Sequence, residues 1–383
     1  MKRLLWMLMI LTGIASVPEA RAAALATLDH SASAAGVANA FVATADDPSA
    51  VRYNPAGIAW QPGIGVMFTG ALRFEDQSAQ LAPPGGTPAN TQTPVNPGSI
   101  YTTWMPADGD WGVGVGFDLP FSANTGWGTA FGGAAQSTSL NVFHFSADAV
   151  YAISSSMAIA AGPDWYGGRI DVNSATTTFR GADATAVGGH VAWMWHPRPA
   201  WSVGAVFRSG ATLNLSGDAV GAITGSAETK VSLPAMAQFG IAHDFYDRYK
   251  LEFNGSWTRW STLTDLNVAG KGVAGAELNP LNLQDSFSAM VGLTWFWQEQ
   301  TQFRFGYAFD QAATKSTGFN ARVVDANSHR LSIGAGTEVF GLHLDAAYSF
   351  VYSPTRTITG SAPFDGRYKQ RLQTLAVSIT RYF

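Results

Sequence analysis

The sequence predicts an all-β protein, a transmembrane antiparallel barrel of about fourteen strands with an N-terminal plug, or hatch, inside its lumen. Three observations predict this fold: many segments alternate apolar and polar residues, the apolar faces are rich in aromatic side chains, and charge is scarce. Charged residues make up 13% of the 383 residues and aromatic residues 12%. A water-soluble surface carries about 25–35% charged residues, so this exterior is expected to contact lipid. A soluble β-sandwich or propeller is the competing fold, but its outward strand faces would be polar.

The first residues predict export. The basic residues Lys2 and Arg3 precede an apolar run at 4–17, and a small-x-small cleavage site ends at Ala22. This arrangement predicts a signal peptide at residues 1–22, because the apolar run is shorter than the roughly 20 residues of a spanning helix. An uncleaved anchor is the alternative. Cysteine is absent, so an exported protein of this size relies on packing or on a closed sheet instead of disulfides.

Residues 23–61 are predicted to form the plug. Small residues dominate this stretch, and turn signals at 46–49 and 54–57 follow each other closely. The stretch has neither the alternation of a strand nor the charge of a solvated linker. A compact, small-residue segment ahead of a long series of strands is typical of a chain folded into a confined space.

Residues 62–383 are predicted to form the barrel. A spanning strand needs about 9–11 residues with apolar side chains outward and aromatic girdles at the interfaces. Residues 301–310 show this pattern plainly, with Phe303, Phe305 and Tyr307 on one face. The Pro-rich stretch 80–98 is predicted to be an extracellular loop without strand or helix. Strands are expected at residues 62–75, 98–107, 111–120, 138–153, 156–173, 181–196, 199–215, 226–244, 249–268, 284–298, 300–311, 325–340, 341–353 and 369–383.

The plug stretch resembles the N-terminal hatch of the FadL/TodX family of outer-membrane transporters for long-chain fatty acids and other hydrophobic compounds. The matching residues are Ser31, Gly36, Asp46, Pro48, Asn54, Pro55, Ala56 and Gly57. The similarity continues through Leu233-Pro234, a Trp-Thr-x-Trp-Ser signature at 257–261, and the stretch 325–336. Trp257 and Trp260 are interpreted as interface anchors. The resemblance therefore covers nearly the whole mature chain.

The resemblance implies passive transport of a hydrophobic molecule across the outer membrane of a Gram-negative bacterium. An internal apolar pocket, a rearrangement of the hatch and lateral exit into the membrane are the implied steps. Long-chain fatty acid is the leading substrate, and aromatic hydrocarbon is the alternative. The implied partners are that ligand, outer-membrane lipid and the assembly machinery, whose signal Phe383 resembles at the end of the last strand. No cofactor is implied, and the barrel is expected to be a monomer.

Five residues are candidates for substrate binding. Phe121, Trp127 and Phe131 follow a predicted strand and would capture substrate at a loop; interface anchoring is their alternative role. The stretch after Phe121 is shorter and richer in Gly and Ala than the capture loop of the better-known fatty-acid transporters. By strand alternation Arg208 and Arg304 face the lumen, where each would receive a carboxylate or pair with Asp310 or Asp345.

The sequence contains no local catalytic, metal-ligand or nucleotide-binding motif, so neither an enzyme nor a metal site is expected. Glycines at 112–116 lie inside an apolar strand and are interpreted as a bend or a close approach of backbone. The formal net charge of −4 argues against nucleic acid as a partner. Two alternatives from other classes are a general diffusion porin, which needs no plug, and a lipase whose catalytic residues meet only in the folded chain.

Overall fold

The computed structural model describes residues 24–81, 89–93, 96–298 and 300–383, so the predicted signal peptide lies outside the described residues. The strands form a closed antiparallel barrel, and the predicted count of 14 strands is confirmed. The first and last strands close the barrel by pairing from Gly65 with Tyr382 to Leu81 with Gly366. None of the helices in the described part of the chain is long and apolar enough to cross a membrane.

The strands are β1 (Gly63–Leu81), β2 (Ala89–Thr93 and Asn96–Met105), β3 (Trp111–Gly126), β4 (Ser137–Ser154), β5 (Met157–Asn173), β6 (Thr177–Arg198), β7 (Trp201–Arg208 and Ala211–Gly221), β8 (Gly225–Leu233 and Met236–Phe245), β9 (Tyr249–Thr258), β10 (Ser286–Gln298), β11 (Thr301–Asp310), β12 (Ser328–Val339), β13 (Leu342–Tyr352) and β14 (Gly366–Tyr382). Short strands also occur in two loops, Val268–Gly270 with Ala276–Glu277 between β9 and β10, and Arg356–Ile358 after β13.

The two faces of the strands differ as the alternation predicts. Large apolar side chains such as Phe68, Phe305 and Leu331 are exposed on the outer face, while their neighbours along each strand are buried inside. Connections at one end are short, as at 155–156, and at the other end they are long, as at 259–285. Bacterial barrels have short periplasmic turns and long extracellular loops, so the long connections lie on the extracellular side.

Residues 24–61 precede β1 and lie inside the barrel; we call them the plug. The plug contains two short helices, α1 (Ala32–Gly36) and α2 (Ala50–Tyr53), and a 3-10 helix at Pro55–Trp60. Ser31 caps α1 by accepting a hydrogen bond from the Ala34 amide at 3.2 Å. Short polar caps of this kind satisfy helix amides that would otherwise be buried without partners.

Plug and wall are tied together by hydrogen bonds from widely separated parts of the chain. The Ala32 amide donates to Ser378 Oγ on β14 at 2.8 Å, and the Ala43 amide donates to Glu252 Oε1 on β9 at 2.7 Å. Asn54 accepts from the Ala56 amide at 3.2 Å and donates to the Trp193 carbonyl of β6 at 3.2 Å. The plug is therefore anchored on several sides of the lumen.

Several boundary predictions are wrong: β1 was expected to end at 75 but continues to Leu81, and β9 was expected to reach 268 but ends at Thr258. The Pro-rich stretch was expected to contain no strand, but Ala89–Thr93 pairs with Glu75–Ala79 of β1, because the residues between the prolines are free to donate to a ladder. Strand β3 was expected to end at residue 120 but continues to Gly126, where its register with β4 shifts between Asp118 and Phe121. A bulge lets a strand continue past a proline that donates no hydrogen bond.

Candidate functional site

The inner face of the extracellular half of the barrel is apolar. Inward-facing side chains of β3 to β8 form one buried cluster, which we call the apolar wall. Its members on the strands are Phe121, Leu140, Val142, Ile170, Val172, Phe179, Leu213, Leu215, Val231 and Leu233. The loop between β9 and β10 folds inward and adds Trp260, Leu263 and Leu266 to the same cluster. A molecule entering the lumen here meets hydrocarbon and aromatic surface.

The role predicted for Trp260 is wrong. It was expected in an interface girdle, but its side chain is 1% exposed and packs edge-on against Phe121 with ring centroids 5.9 Å apart. The strand ends at Thr258, and Trp260 begins a 3-10 turn at Trp260–Thr262. Residues three apart lie on opposite faces of a strand, so Trp257 and Trp260 could not have shared one girdle even on a longer strand. Trp260 therefore belongs to the interior site.

Three extracellular loops close over the mouth with a second aromatic cluster, the aromatic mouth. It comprises Trp127, Phe131, Phe319, Phe364 and Tyr368, together with small apolar neighbours. Trp127 Nε1 donates to the Ala321 carbonyl at 2.9 Å, and its ring lies 5.6 Å from that of Phe131. Trp127 and Phe131 thus lie together at the mouth, whereas Phe121 lies below them on β3, not in a loop.

The barrel wall is interrupted beside β3. The ladder between β2 and β3 joins only Ile100–Trp104 to Val113–Phe117 in the described residues. Beyond Phe117, β3 instead bonds to the start of the plug: the Thr27 amide donates to the Pro120 carbonyl at 2.8 Å and the Ser122 amide to the Leu25 carbonyl at 2.9 Å. The first residues of the plug therefore fill an opening in the wall.

An apolar groove lies on the outer surface beside this opening. Its volume is about 500 Å³, and its lining includes Phe68, Ile100, Phe117, Val377 and Ile379. Because these side chains are on the lipid-facing side of β1, β2, β3 and β14, the groove connects the opening with the hydrocarbon of the membrane.

A buried polar network crosses the inner face of the wall below the apolar wall. His144 bridges Asp118 and Asp164 at 3.2 and 2.8 Å. His190 bridges Asp164 and Asp148 at 3.0 and 2.5 Å. Arg52 of α2 lies 3.7 Å from Asp118, which links the plug to the network at the bulge of β3. Arg208 of β7 bonds to Asp164 in the same network. Buried charges are tolerated when they are paired, so this network holds five strands and the plug in one arrangement.

The two predicted carboxylate receptors are both occupied by protein. Arg208 bonds Asp164 within the polar network, not Asp310 or Asp345. Arg304 Nη1 donates to Asp345 Oδ1 at 2.6 Å. Within the described ranges, no group of His, Asp or Glu side chains is arranged to hold a metal ion.

A small cavity remains between the plug and strands β8 to β12; we call it the plug cavity. Its volume is about 70 Å³, and its lining is Ala26, Thr27, Leu28, His30, Ala38, Asn39, Arg52, Tyr53, Met236, Gln238, Ser256, Thr258, Trp260, Ser286, Ser288, Met290, Ala308, Asp310 and Arg330. Sequence reasoning missed Arg330, although strand alternation on β12 was a signal that it faces inward.

The hatch residues found in the sequence occupy defined positions in this arrangement. Ser31 and Asn54 act as caps, and Asn54 also donates to the Val42 carbonyl at 2.7 Å. Gly36 lies against β11 and β12, where an added Cβ would be 3.0 Å from Arg304 Cβ. Asp46 lies 3.4 Å from Lys250 on β9. Pro48, Pro55, Ala56 and Gly57 lie in the turns and the 3-10 helix of the plug.

Fold and site together define an outer-membrane transport barrel with an apolar interior that is closed by its own N-terminal segment. The model of one family, described as outer membrane protein transport protein (OMPP1/FadL/TodX), matches residues 12–383. The chain belongs to this family, whose members transport hydrophobic compounds across the outer membrane of Gram-negative bacteria. The family resemblance seen in the sequence is thereby confirmed.

Solved structures share the fold. A FadL homologue of Pseudomonas aeruginosa has a TM-score of 0.84 at 18% identity, over 94% of this chain and 100% of that chain. The toluene transporter TodX of P. putida gives 0.69 at 16%, over 88% and 94% of the two chains. The toluene transporter TbuX of Ralstonia pickettii gives 0.65 at 16%, over 91% and 98%. No curated protein sequence matches the chain.

Proposed function

We propose that the protein carries hydrophobic molecules passively from the extracellular side into the membrane, through its side wall. Substrate is captured at the aromatic mouth, moves along the apolar wall to the plug cavity, and leaves between β2 and β3 when the plug shifts. The observation that carries this proposal is the opening beside β3, which is filled by Leu25 to Thr27 of the plug.

The capture step is driven by burial of apolar surface. Each methylene that leaves water contributes about 0.8 kcal/mol, so a long acyl chain or an aromatic ring partitions into the apolar wall from dilute solution. The aromatic rings of the mouth have few rotatable bonds and provide large contact area at low entropic cost.

The plug has to move for substrate to pass. The plug cavity holds about 70 Å³, less than the roughly 150 Å³ of an engineered protein cavity that takes up benzene. The later part of the plug is held by apolar packing, with Val42, Val51 and Ile58 in one buried cluster with side chains of the wall. Its first residues are bonded to β3 by two backbone hydrogen bonds, so a substrate can displace them without unfolding the barrel.

Long-chain fatty acid is the leading substrate and aromatic hydrocarbon is the alternative. Fatty acid is favoured by the plug cavity, which sets polar and positively charged groups, Arg52 and Arg330 among them, beside the apolar wall. The toluene transporters among the structural relatives are the reason for keeping the aromatic alternative.

The test is a disulfide bond that holds the plug in the opening and that a reductant can break. Ala26 and Phe121 form an isolated antiparallel bridge, and opposed residues of such a bridge are near enough for a disulfide. The chain has no cysteine of its own, so Ala26→Cys with Phe121→Cys introduces a single defined bond. In liposomes, oxidation is expected to stop uptake of a fluorescent long-chain fatty acid and of toluene, and a reductant to restore it.

The matched control is a disulfide across a part of the wall that is already continuous. Ser332 and Ser349 face each other on β12 and β13, with their hydroxyl oxygens 3.0 Å apart. Oxidised Ser332→Cys with Ser349→Cys is expected to leave uptake unchanged, as are the single cysteine variants relative to their own reduced state. Uptake that continues through the locked opening would contradict lateral exit at β3.

A further inference from the structure

We propose that β14 and β1 carry, on the outer surface of the barrel, a binding site for a phosphorylated lipid of the outer leaflet. Three successive outward-facing cations of β14, Arg367, Lys369 and Arg371, hold the phosphate groups of this lipid; we call them the basic stripe. Its acyl chains lie in the apolar groove on the outer surface beside β3. The lipid is a bound neighbour of the barrel and not a transported substrate, so this site is additional to the transport function proposed above.

The basic stripe faces away from the lumen. The even-numbered residues from 366 to 372 on β14 are buried, whereas Arg367 and Lys369 are exposed and Arg371 is half-buried. Alternate residues of a strand lie on one face and are about 7 Å apart, so the Cα atoms of the three cations form a line of roughly 14 Å. A line of this length can meet more than one phosphate group.

The surface around the basic stripe carries an excess of positive charge. On the described strands β1, β13 and β14, Asp76 is the one acidic side chain that faces outward, and it opposes Arg371 in the register. The residues of β1 that oppose the other two cations are the neutral Ser78 and Gln80. One carboxylate among three cations leaves a net attraction for an anion, whatever hydrogen bonds the individual side chains make.

An exposed arginine elsewhere in the extracellular half has different neighbours. Arg180 on β6 is opposed by Asp171 on β5 and by Asp218 on β7, so acids flank it on both sides. Its charge is offset by two neighbouring strands. The basic stripe therefore differs from an ordinary solvated strand face, where charges of both signs are mixed.

The basic stripe begins where the apolar outer surface ends. On β14, Gln373 separates Arg371 from the outward-facing residues between 375 and 379, which are apolar. On β1 the apolar outward face runs from Ile64 to Phe74, and Phe74 opposes Gln373. With the usual rise and tilt of barrel strands, this face spans about 25 Å across the membrane, the height of a complete apolar band. The three cations thus lie at the level of the extracellular lipid headgroups.

Phosphate is the anion that this level of the membrane offers. The outer leaflet of a Gram-negative outer membrane consists of lipopolysaccharide, whose sugars bear phosphate groups directly above their acyl chains. Arginine binds phosphate through two parallel N–H bonds, and lysine binds it as a point charge. A row of two arginines and one lysine at headgroup height therefore matches the phosphates of this lipid in both charge and position.

The apolar groove lies below the basic stripe on the same strands. Its volume is about 500 Å³, and Val377 and Ile379 line it from the outward face of β14 that also carries the cations. Gly70 of β1 is part of the lining, and a Cβ added there would meet nothing within 4 Å. Headgroup site and groove follow each other along one face, in the order that phosphate and acyl chain have in a lipid.

The test measures binding of lipid A, the bisphosphorylated anchor of lipopolysaccharide, to the purified protein in detergent by native mass spectrometry. Combined Arg367→Gln, Lys369→Gln and Arg371→Gln changes are expected to weaken binding at least tenfold, because each basic residue at a membrane surface adds to the attraction. Asp76→Asn is expected to strengthen binding several-fold, since it removes the acid beside the stripe. Arg180→Gln is the matched control and is expected to leave binding unchanged.

Two further arms separate the phosphate from the acyl chains. With lipid A from which both phosphates have been removed, the parent protein and the triple variant are expected to bind equally. Gly70→Phe places a ring in the groove and is expected to weaken binding of lipid A several-fold while the basic stripe is intact. Inorganic phosphate is expected to displace lipid A only at far higher concentration, because it has no chain to bury.

Three results would overturn the proposal. The first is equal binding of lipid A by the parent and the triple variant, and the second is an equal loss of binding in Arg180→Gln. The third is the absence of a gain in Asp76→Asn, which is informative because a poorly folded variant cannot bind more tightly than the parent. Displacement of lipid A by inorganic phosphate at equal concentration would likewise replace the lipid site with a site for free anions.

Discussion

At the scale of single residues, the plug fits the lumen because both partners lack side-chain bulk. Glycines of the wall lie directly against plug backbone: a Cβ on Gly204 would be 2.2 Å from the Val42 carbonyl oxygen, and one on Gly306 would be 2.3 Å from the Ala38 amide nitrogen. Gly114, in the glycine-rich strand, instead makes room for plug side chains, because a Cβ there would be 2.7 Å from Val51 Cγ2 and from Ile58 Cδ1. The glycines at 112–116 were interpreted as a bend or a close approach of strands, whereas the contacts of Gly114 are with side chains of the plug.

Gly306→Val is expected to displace the plug. The added carbons overlap backbone that cannot swing aside, and overpacking of this kind costs about 1–3 kcal/mol. We expect a lower thermal midpoint and frequent open-channel events in planar bilayers. Gly255→Val is the control, because nothing lies within 4 Å of a Cβ added at Gly255 on β9. Equal behaviour of the two variants would contradict the close fit of plug and wall.

Asp47 gives the plug a pH dependence. Burial raises the pKa of its carboxyl to about 6, against the opposing hydrogen bonds from Ser33 and Ser49. The folded state therefore holds a proton that the unfolded chain releases near the ordinary value of 3.8. Stability falls as pH rises between these two values and is level above them. Thermal midpoints measured from pH 4 to 8 are expected to show this loss of stability. In Asp47→Asn the part of the loss that comes from Asp47 should disappear, while the pH dependence that comes from other titrating groups remains.

At the scale of elements, the aromatic mouth shows how three separate loops make one surface. Trp127 and Phe131 come from the loop after β3, Phe319 from the loop after β11, and Phe364 from the loop before β14. Each loop alone exposes aromatic surface to water, and only their mutual packing buries it. An apolar molecule that binds at this position replaces contacts between the loops' own aromatic rings with contacts between those rings and itself.

Trp127→Ala is expected to weaken capture without slowing the later steps. The concentration for half-maximal uptake should rise several-fold, since truncating a buried Trp removes a large contact area, while the maximal rate stays the same. Initial uptake rates into liposomes over a range of substrate concentrations measure both. Trp111→Ala is the matched control at the periplasmic end of β3, where Trp111 is 63% exposed on the outer face. A fall in maximal rate alone would contradict a capture role.

At the scale of the whole molecule, the barrel supplies a rigid wall and the plug supplies the moving part. Every strand is paired on both sides over most of its length, and the ladder is interrupted beside β3, where the plug completes it. The buried polar network ends at the same place, because Asp118 on β3 meets Arg52 of the plug. The position of the plug and the continuity of the wall are thus coupled at one point.

Deletion of residues 31–57 is expected to convert the barrel into an open pore. A barrel of this many strands encloses a lumen wide enough for water unless something fills it. Planar-bilayer conductance should rise strongly for the deletion and stay low for the intact chain. If the protein were a diffusion porin, the intact chain would already conduct, and the deletion would leave its conductance unchanged.

The sequence predicts the local features well because strand alternation is a local property. It placed Phe305 and Tyr307 outward and Arg208 and Arg304 inward, as the structure has them. It did not predict the partner of Arg208, because that arginine on β7 meets Asp164 on β5 across the intervening strand β6, and the registers of these strands decide which residues meet. The sequence interpretation also misplaced Trp260, because it treated Trp257 and Trp260 alike although residues three apart lie on opposite faces of a strand.

What the sequence alone determined is the class of fold, the number of strands, their two faces and the small-residue character of the plug. Each of these is encoded in short stretches, through side-chain period, turn residues and composition. Only the tertiary structure decided which distant groups meet: Asp29 with Arg330, 301 residues apart, and the first residues of the plug with the opening beside β3. The reason is that barrel closure and plug insertion bring together positions whose spacing along the chain carries no pattern.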